Sequence, residues 1–99
     1  GFDRLRFRFP ANPPVIDRSE ISTSIALNRR HDERPLVSIA TPVYGGGMSF
    51  GSVSLPTMVA KAHNATLWNT FTCTGEGGYP EMLQPYDDHV ITQVATGLF

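Results

Sequence analysis

Apolar and polar positions alternate with a period of two at the start of the chain, where Leu5, Phe7 and Phe9 interleave with Arg4, Arg6 and Arg8. That period predicts a half-buried strand with a guanidinium face. Pro10, Pro13 and Pro14 then impose an extended crossing segment, since each proline locks its own φ and biases the residue before it away from helix. Two alternating, β-branched runs come next, residues 21–27 and 36–40, with the polar stretch 28–35 between them. They read as a β-hairpin. His31, Asp32 and Glu33 lie in its turn, where solvated polar residues are the expectation and a metal site is not.

Beyond Thr41-Pro42-Val43-Tyr44 the pattern changes. Gly45, Gly46 and Gly47 precede Met48-Ser49-Phe50-Gly51, and Leu55, Met58, Val59, Ala62 and Ala65 then recur at helical spacing. Ser52 or Ser54 is placed to cap that helix, Pro56 is tolerated in its first turn, and Lys61 and His63 fall on the face opposite the apolar stripe. The β-branched run 69–74 comes after the helix, so residues 36–74 spell strand, helix, strand, the signature of a parallel pair. A second glycine-rich loop, Thr74-Gly75-Glu76-Gly77-Gly78, succeeds that strand directly. Tyr79 to Tyr86, with Pro80 and Pro85, reads as a loop crossing the top of the structure. Asp87 and Asp88 are placed to cap the element starting near Val90; a metal site made with Glu81 and His89 is the weaker reading. Residues 90–96 read as a strand on their β-branched content, although Val90, Ile91, Val94 and Leu98 also fit one helix face.

Composition narrows the function classes. The 99 residues carry 8 Lys+Arg against 9 Asp+Glu, a net charge of −1, with 40% hydrophobic and 17% charged residues. Such a chain can bury a core and has no bulk positive charge for nucleic acid. Seven of the eight basic residues, all Arg, lie within residues 1–34, yet the interleaved acids Asp3, Asp17 and Glu20 make a solvated strand face the better account. No apolar run is long enough to span a membrane and the first residues lack the apolar core of a signal peptide. A soluble, cytoplasmic protein is therefore expected. Cys73 stands alone, so no disulfide framework or cysteine-rich metal site is available. The chain also stops within an apolar stretch, as a piece of a longer protein would.

Both glycine-rich loops come directly after strands, and in parallel α/β folds the strand C-termini form the functional face. Glycines there let a flat or phosphorylated ligand approach the main chain; equally, they can make tight turns with no ligand. The glycines alone do not separate these readings. Neither loop is a Walker phosphate loop or a Gly-x-Gly-x-x-Gly dinucleotide fingerprint. Glu76 is the one carboxylate in the second loop.

Three stretches, Gly46-Gly47-Met48-Ser49-Phe50-Gly51-Ser52-Val53-Ser54, Thr74-Gly75-Glu76-Gly77-Gly78 and Gln93-Val94-Ala95-Thr96-Gly97-Leu98-Phe99, resemble successive motifs of the FMN-binding domain of glutamate synthase. Order and spacing match the family, and the likeness is greatest to its shorter, archaeal-type members. The resemblance implies an α/β fold, the beginning of a (β/α)8 TIM barrel preceded by a β-hairpin, with residues 1–35 as the leading strand and hairpin and 36–99 as the first strands and helix of an incomplete FMN-binding barrel. A whole barrel needs about 250 residues. It further implies FMN as cofactor, a 3Fe-4S cluster whose ligands lie outside this chain, and reduction of 2-iminoglutarate, formed from 2-oxoglutarate and ammonia or glutamine-derived ammonia, to glutamate. An electron-donor subunit or ferredoxin is the implied protein partner. Carried over by position, Gly47, Met48 and Ser49 lie against the flavin, Gln93 reaches flavin or substrate, and Glu76 faces the substrate as the catalytic carboxylate. Thr92 and Leu98 stand where the long enzymes usually have Lys and Arg, which removes two cations that would pair with a dicarboxylate. A glutamate N-methyltransferase-type subunit on the same barrel and a non-catalytic module are the alternatives.

Overall fold

The computed structural model describes residues 1–30 and 35–97. The readings at His31, Asp32, Glu33 and Leu98 lie outside those residues. The architecture mixes helix and short strands in two small sheets, one antiparallel and one parallel.

The hairpin forms where alternation placed it, although its ladder is short. Strand β1 (Ile25–Ala26) pairs antiparallel with β2 (Ser38–Ile39) in the register Ile25 to Ile39 and Ala26 to Ser38. The Asn28 amide ties the two strands together at the loop end: Nδ2 donates to the Pro35 carbonyl at 2.6 Å and Oδ1 accepts from the Val37 N–H at 2.6 Å. One face of β2 is apolar and inward, with Ile39 only 3% exposed. The Ala40 N–H donates to the Asn69 carbonyl at 2.9 Å, which ties the hairpin to the second half of the chain.

Helix α1 (Leu55–Leu67) begins at Ser54, whose hydroxyl accepts from the Thr57 N–H, with Pro56 in the first turn. Met58, Ala62 and Ala65 are its buried stripe. The small alanines let the helix lie close to strand β3 (Thr72–Cys73). Parallel pairing runs on both sides of β3. On one, Gly45 bridges Thr72 in parallel, its N–H donating to the Phe71 carbonyl at 2.7 Å and its carbonyl accepting from the Cys73 N–H at 2.9 Å. On the other, β4 (Val90–Ile91) pairs with β3 in the register Thr72 to Val90 and Cys73 to Ile91. The strand, helix, strand reading of residues 36–74 thus holds, with the helix joining two parallel segments.

Three alternate threonines face inward along this path, Thr70, Thr72 and Thr74. A buried hydroxyl needs a partner. Thr70 donates to the Val43 carbonyl of one neighbouring segment, while Thr74 donates to the Gly75 carbonyl at 2.9 Å and accepts from the Gln93 N–H at 3.2 Å. Thr72 Oγ1 has no partner among the described residues. It abuts Gly45, where a Cβ would come within 2.6 Å of it.

Three expectations are corrected. The alternating Arg and aromatic segment is no strand: Phe2–Arg4 is a 3-10 helix, and the chain then runs outside any sheet with Phe7 90% and Phe9 78% exposed. Alternation describes a surface that suits a strand, but no described segment offers this stretch a ladder of hydrogen bonds. Residues 79–86 are no open loop either, because Glu81–His89 forms a 3-10 helix that contains Pro85, Asp87 and Asp88. Leu83, 1% exposed, anchors it by packing with Met58 and Ala62 of α1. Asp87 therefore caps nothing, and it accepts a hydrogen bond from the Tyr79 hydroxyl. The last strand is also shorter than residues 90–96 implied, ending at Ile91. No helix among the described residues is long and apolar enough to cross a membrane.

Candidate functional site

The two glycine-rich loops meet at the C-terminal ends of the parallel segments, and they meet backbone to backbone. Gly75 has φ +68, and a Cβ built on it would lie 2.7 Å from Ser49 N and 2.8 Å from Met48 C. On Gly77 a Cβ would lie 2.7 Å from Phe50 O and 2.8 Å from Phe50 N. Only residues without side chains permit this approach, so these two glycines serve the packing of one loop on the other. The Glu76 N–H, between them, donates to Ser49 Oγ at 3.2 Å. Ser49 in turn starts the turn into α1: its carbonyl accepts from the N–H groups of Ser52 and Val53 at 3.0 and 3.1 Å and from the Ser52 hydroxyl at 2.7 Å.

Gly47 faces the same junction from the first loop. A Cβ there would meet Gln93 Oε1 at 3.0 Å, Gly75 Cα at 3.2 Å and Cys73 Sγ at 3.3 Å. Gln93 is steered by two groups. Its backbone N–H is held by Thr74 Oγ1, and its side-chain Oε1 accepts a long hydrogen bond from the Cys73 thiol at 3.7 Å. That leaves Nε2 donating to Glu76 Oε1 at 3.4 Å. The Glu76 side chain is exposed, as are Gly46 and Gly47, and Met48 is 48% exposed. Beside Gly46 the space is open, with nothing within 4 Å of where its Cβ would be.

The five residues singled out in the sequence, Gly47, Met48, Ser49, Glu76 and Gln93, thus gather at one exposed junction, the mouth between the two loops. Three neighbours escaped the sequence reading. Cys73 donates its thiol hydrogen to Gln93 Oε1 and accepts from the Gly75 N–H, and Thr74 fixes the Gln93 backbone. Lys61, read as facing away from the core, instead reaches the first loop, its Nζ donating to the Gly46 carbonyl at 2.8 Å. A signal for it exists: Lys61 stands three residues after Met58 and four before Ala65, on the rim of the buried stripe. Partial burial pulls its pKa below the usual lysine value, against a smaller opposing effect of the nearby Cys73. His63 does point away, its ring 6.1 Å from that of Tyr86.

Chemically the mouth offers one carboxylate, one primary amide, one hydroxyl, one thiol and main-chain groups bared by glycine, with an ammonium behind them. Among the described residues no cluster of three potential metal ligands occurs. A parallel strand, helix, strand unit that gathers its polar groups at the strand C-termini has the layout in which α/β folds place their ligand sites. Residues 8–99 match the conserved region in glutamate synthase, and the chain belongs to that family. It is 40% identical to the archaeal glutamate synthase [NADPH] of Methanocaldococcus jannaschii over 84 residues, which cover 85% of this chain and 15% of that protein. The archaeal glutamate synthase [NADPH] of Archaeoglobus fulgidus is 33% identical over 97 residues, 98% of this chain and 17% of that protein. With the archaeal-type glutamate synthase [NADPH] of Thermotoga maritima the identity is 42% over 65 residues, 66% of this chain and 13% of that protein. The chain thus spans about one sixth of these relatives or less. No solved structure matches it significantly.

Proposed function

We propose that this chain is the opening part of a (β/α)8 barrel in an FMN-dependent, glutamate synthase-like oxidoreductase that aminates 2-oxoglutarate reductively to glutamate. The observation that carries the reading is the convergence of both glycine loops, Glu76 and Gln93 on one exposed mouth at the strand C-termini. The names of the relatives support the reaction class and NADPH as the source of electrons.

The residues fit a flavin. Open space beside Gly46 admits a flat ring against bare main chain, and the amide of Gln93, the hydroxyl of Ser49 and the backbone of Gly47 and Met48 match a ring edge rich in hydrogen-bonding groups. FMN, when bound, supplies the two electrons that convert the imine to the amine. A 3Fe-4S cluster has no ligand set here, since Cys73 is the sole cysteine, and no step at this mouth uses one.

What the chain itself does is hold and protonate. Gln93 Nε2 steadies the Glu76 carboxyl at the edge of the mouth. From there Glu76 holds the iminium form of the substrate by a charge-assisted hydrogen bond, or delivers a proton to its nitrogen as the carbon is reduced. Ammonia and 2-oxoglutarate condense to the imine with loss of water before this step.

The test uses the full-length protein that carries this segment. Glu76→Gln keeps the shape and removes the charge, so turnover of 2-oxoglutarate and ammonia falls by roughly two orders of magnitude or more with FMN still bound. Unchanged turnover at saturating substrate reduces Glu76 to a turn residue.

A further inference from the structure

We infer that Lys61 is the positioning residue of the flavin loop: its ammonium holds the Gly46 carbonyl and thereby sets the Gly46–Gly47 peptide so that the Gly47 N–H is presented to the cofactor. This rests on the proposed binding of FMN at the mouth.

Three successive glycines have more backbone freedom than any other tripeptide, so a loop built from them presents a defined edge only if something restrains it. Gly45 is restrained on both sides by its ladder bonds to Phe71 and Cys73. Gly46 has no such support, being exposed and without a neighbour within 4 Å of its Cβ position. Its restraint is the 2.8 Å hydrogen bond from Lys61 Nζ, which spans 15 residues. The donor has a firm base, since Lys61 adjoins the completely buried Ala62 on α1.

Planarity carries the effect across the peptide. No peptide bond among the described residues is cis, so the Gly46 carbonyl and the Gly47 N–H point in opposite directions. With the carbonyl drawn to Lys61, the N–H is turned away from the ammonium, and among the described residues it has no acceptor. Electrostatics adds to orientation. Among the described residues no carboxylate pairs with Lys61, so its charge acts on the peptide, withdrawing density through the carbonyl and strengthening the N–H as a donor. The lysine is half-buried, and that partial desolvation is why its pKa falls. A cation kept in such a place needs the carbonyl as much as the carbonyl needs it.

The experiment is titration of FMN into the flavin-free full-length protein, monitored by flavin fluorescence, with the visible absorption bands of the bound form recorded alongside. Lys61→Met is expected to weaken FMN binding by roughly ten- to hundredfold, the range for a lost hydrogen bond to a charged group, and to shift the bands. Lys61→Arg, which keeps a charged donor, restores affinity to within about threefold and restores the bands. Lys61→Gln, a neutral donor, gives intermediate affinity and a shifted spectrum, and it serves if the methionine variant does not fold. Equal affinity and unchanged bands in Lys61→Met or Lys61→Gln overturn the inference. So does weakened binding that Lys61→Arg does not rescue, because loss of helix packing alone then explains it. A wild-type protein that binds no FMN overturns the flavin reading and this inference together, whereas wild-type binding with an indifferent Lys61 overturns the inference alone.

Discussion

Replacing Gly75 by alanine separates two costs that glycine ordinarily hides together. The first is conformational: at φ +68 an L-residue other than glycine pays roughly 1–2 kcal/mol. The second is steric, because the new methyl would lie 2.7 Å from Ser49 N, 2.8 Å from Met48 C and 3.0 Å from Met48 N. All three are backbone atoms of the opposing loop, so no side chain can swing aside, and overpacking of this kind costs about 1–3 kcal/mol. Alanine also lowers the entropy of the unfolded chain, which offsets roughly 0.4–1 kcal/mol of the total. Gly78 supplies the control. Its φ is +87, yet nothing lies within 4 Å of its Cβ position, so Gly78→Ala carries the conformational and unfolded-state contributions without the clash. The difference between the variants is therefore the loop-to-loop contact, about 1–3 kcal/mol. Amide hydrogen exchange in the full-length protein reads it locally. Peptides covering residues 45–53 and 72–78 should exchange roughly five- to hundredfold faster in Gly75→Ala than in Gly78→Ala, where exchange tracks the opening equilibrium. Equal exchange in the two variants would show that the loops are not braced against each other at Gly75.

Two further outcomes test the frame around the mouth. Leu83→Ala removes the side chain that seats the 3-10 helix on Met58 and Ala62, and it should cost about 2–5 kcal/mol in urea unfolding; a loss under about 1 kcal/mol would mean that this helix is not anchored there. Tyr79 tests the same region through pH. Burial, the hydrogen bond to Asp87 and the Asp87 charge push its phenol up from 10.0 to about 12, so the folded state favours the neutral form. The stabilisation is complete below the ordinary phenol value and is lost as pH climbs from about 10 to about 12. A wild-type minus Tyr79→Phe difference titration at the phenolate band should show one late-ionising tyrosine, and a midpoint near 10 would refute the contact.

Local chemistry determined much of this molecule. Ser54, Pro56 and the spacing of Met58, Ala62 and Ala65 specify α1 within a dozen residues, since capping and helical periodicity act over one or two turns. Alternation in residues 21–27 and 36–40 announced the hairpin, and the order of the glycine loops after extended segments announced where polar groups would gather. Tertiary structure decided the rest. The same period-two alternation that succeeded at Ile25 and Ile39 failed at Phe7 and Phe9, because a strand exists only where another segment completes its hydrogen bonds. Pro80 and Pro85 marked residues 79–86 as a loop, but burial of Leu83 against α1 drew Glu81–His89 into a 3-10 helix. Lys61 belongs to the mouth through a side chain long enough to leave the rim of its helix and reach Gly46, and Gln93 meets Glu76 across 17 residues. Such meetings depend on how β3 aligns with Gly45 on one side and β4 on the other, a register set by long-range pairing that no local window of sequence contains.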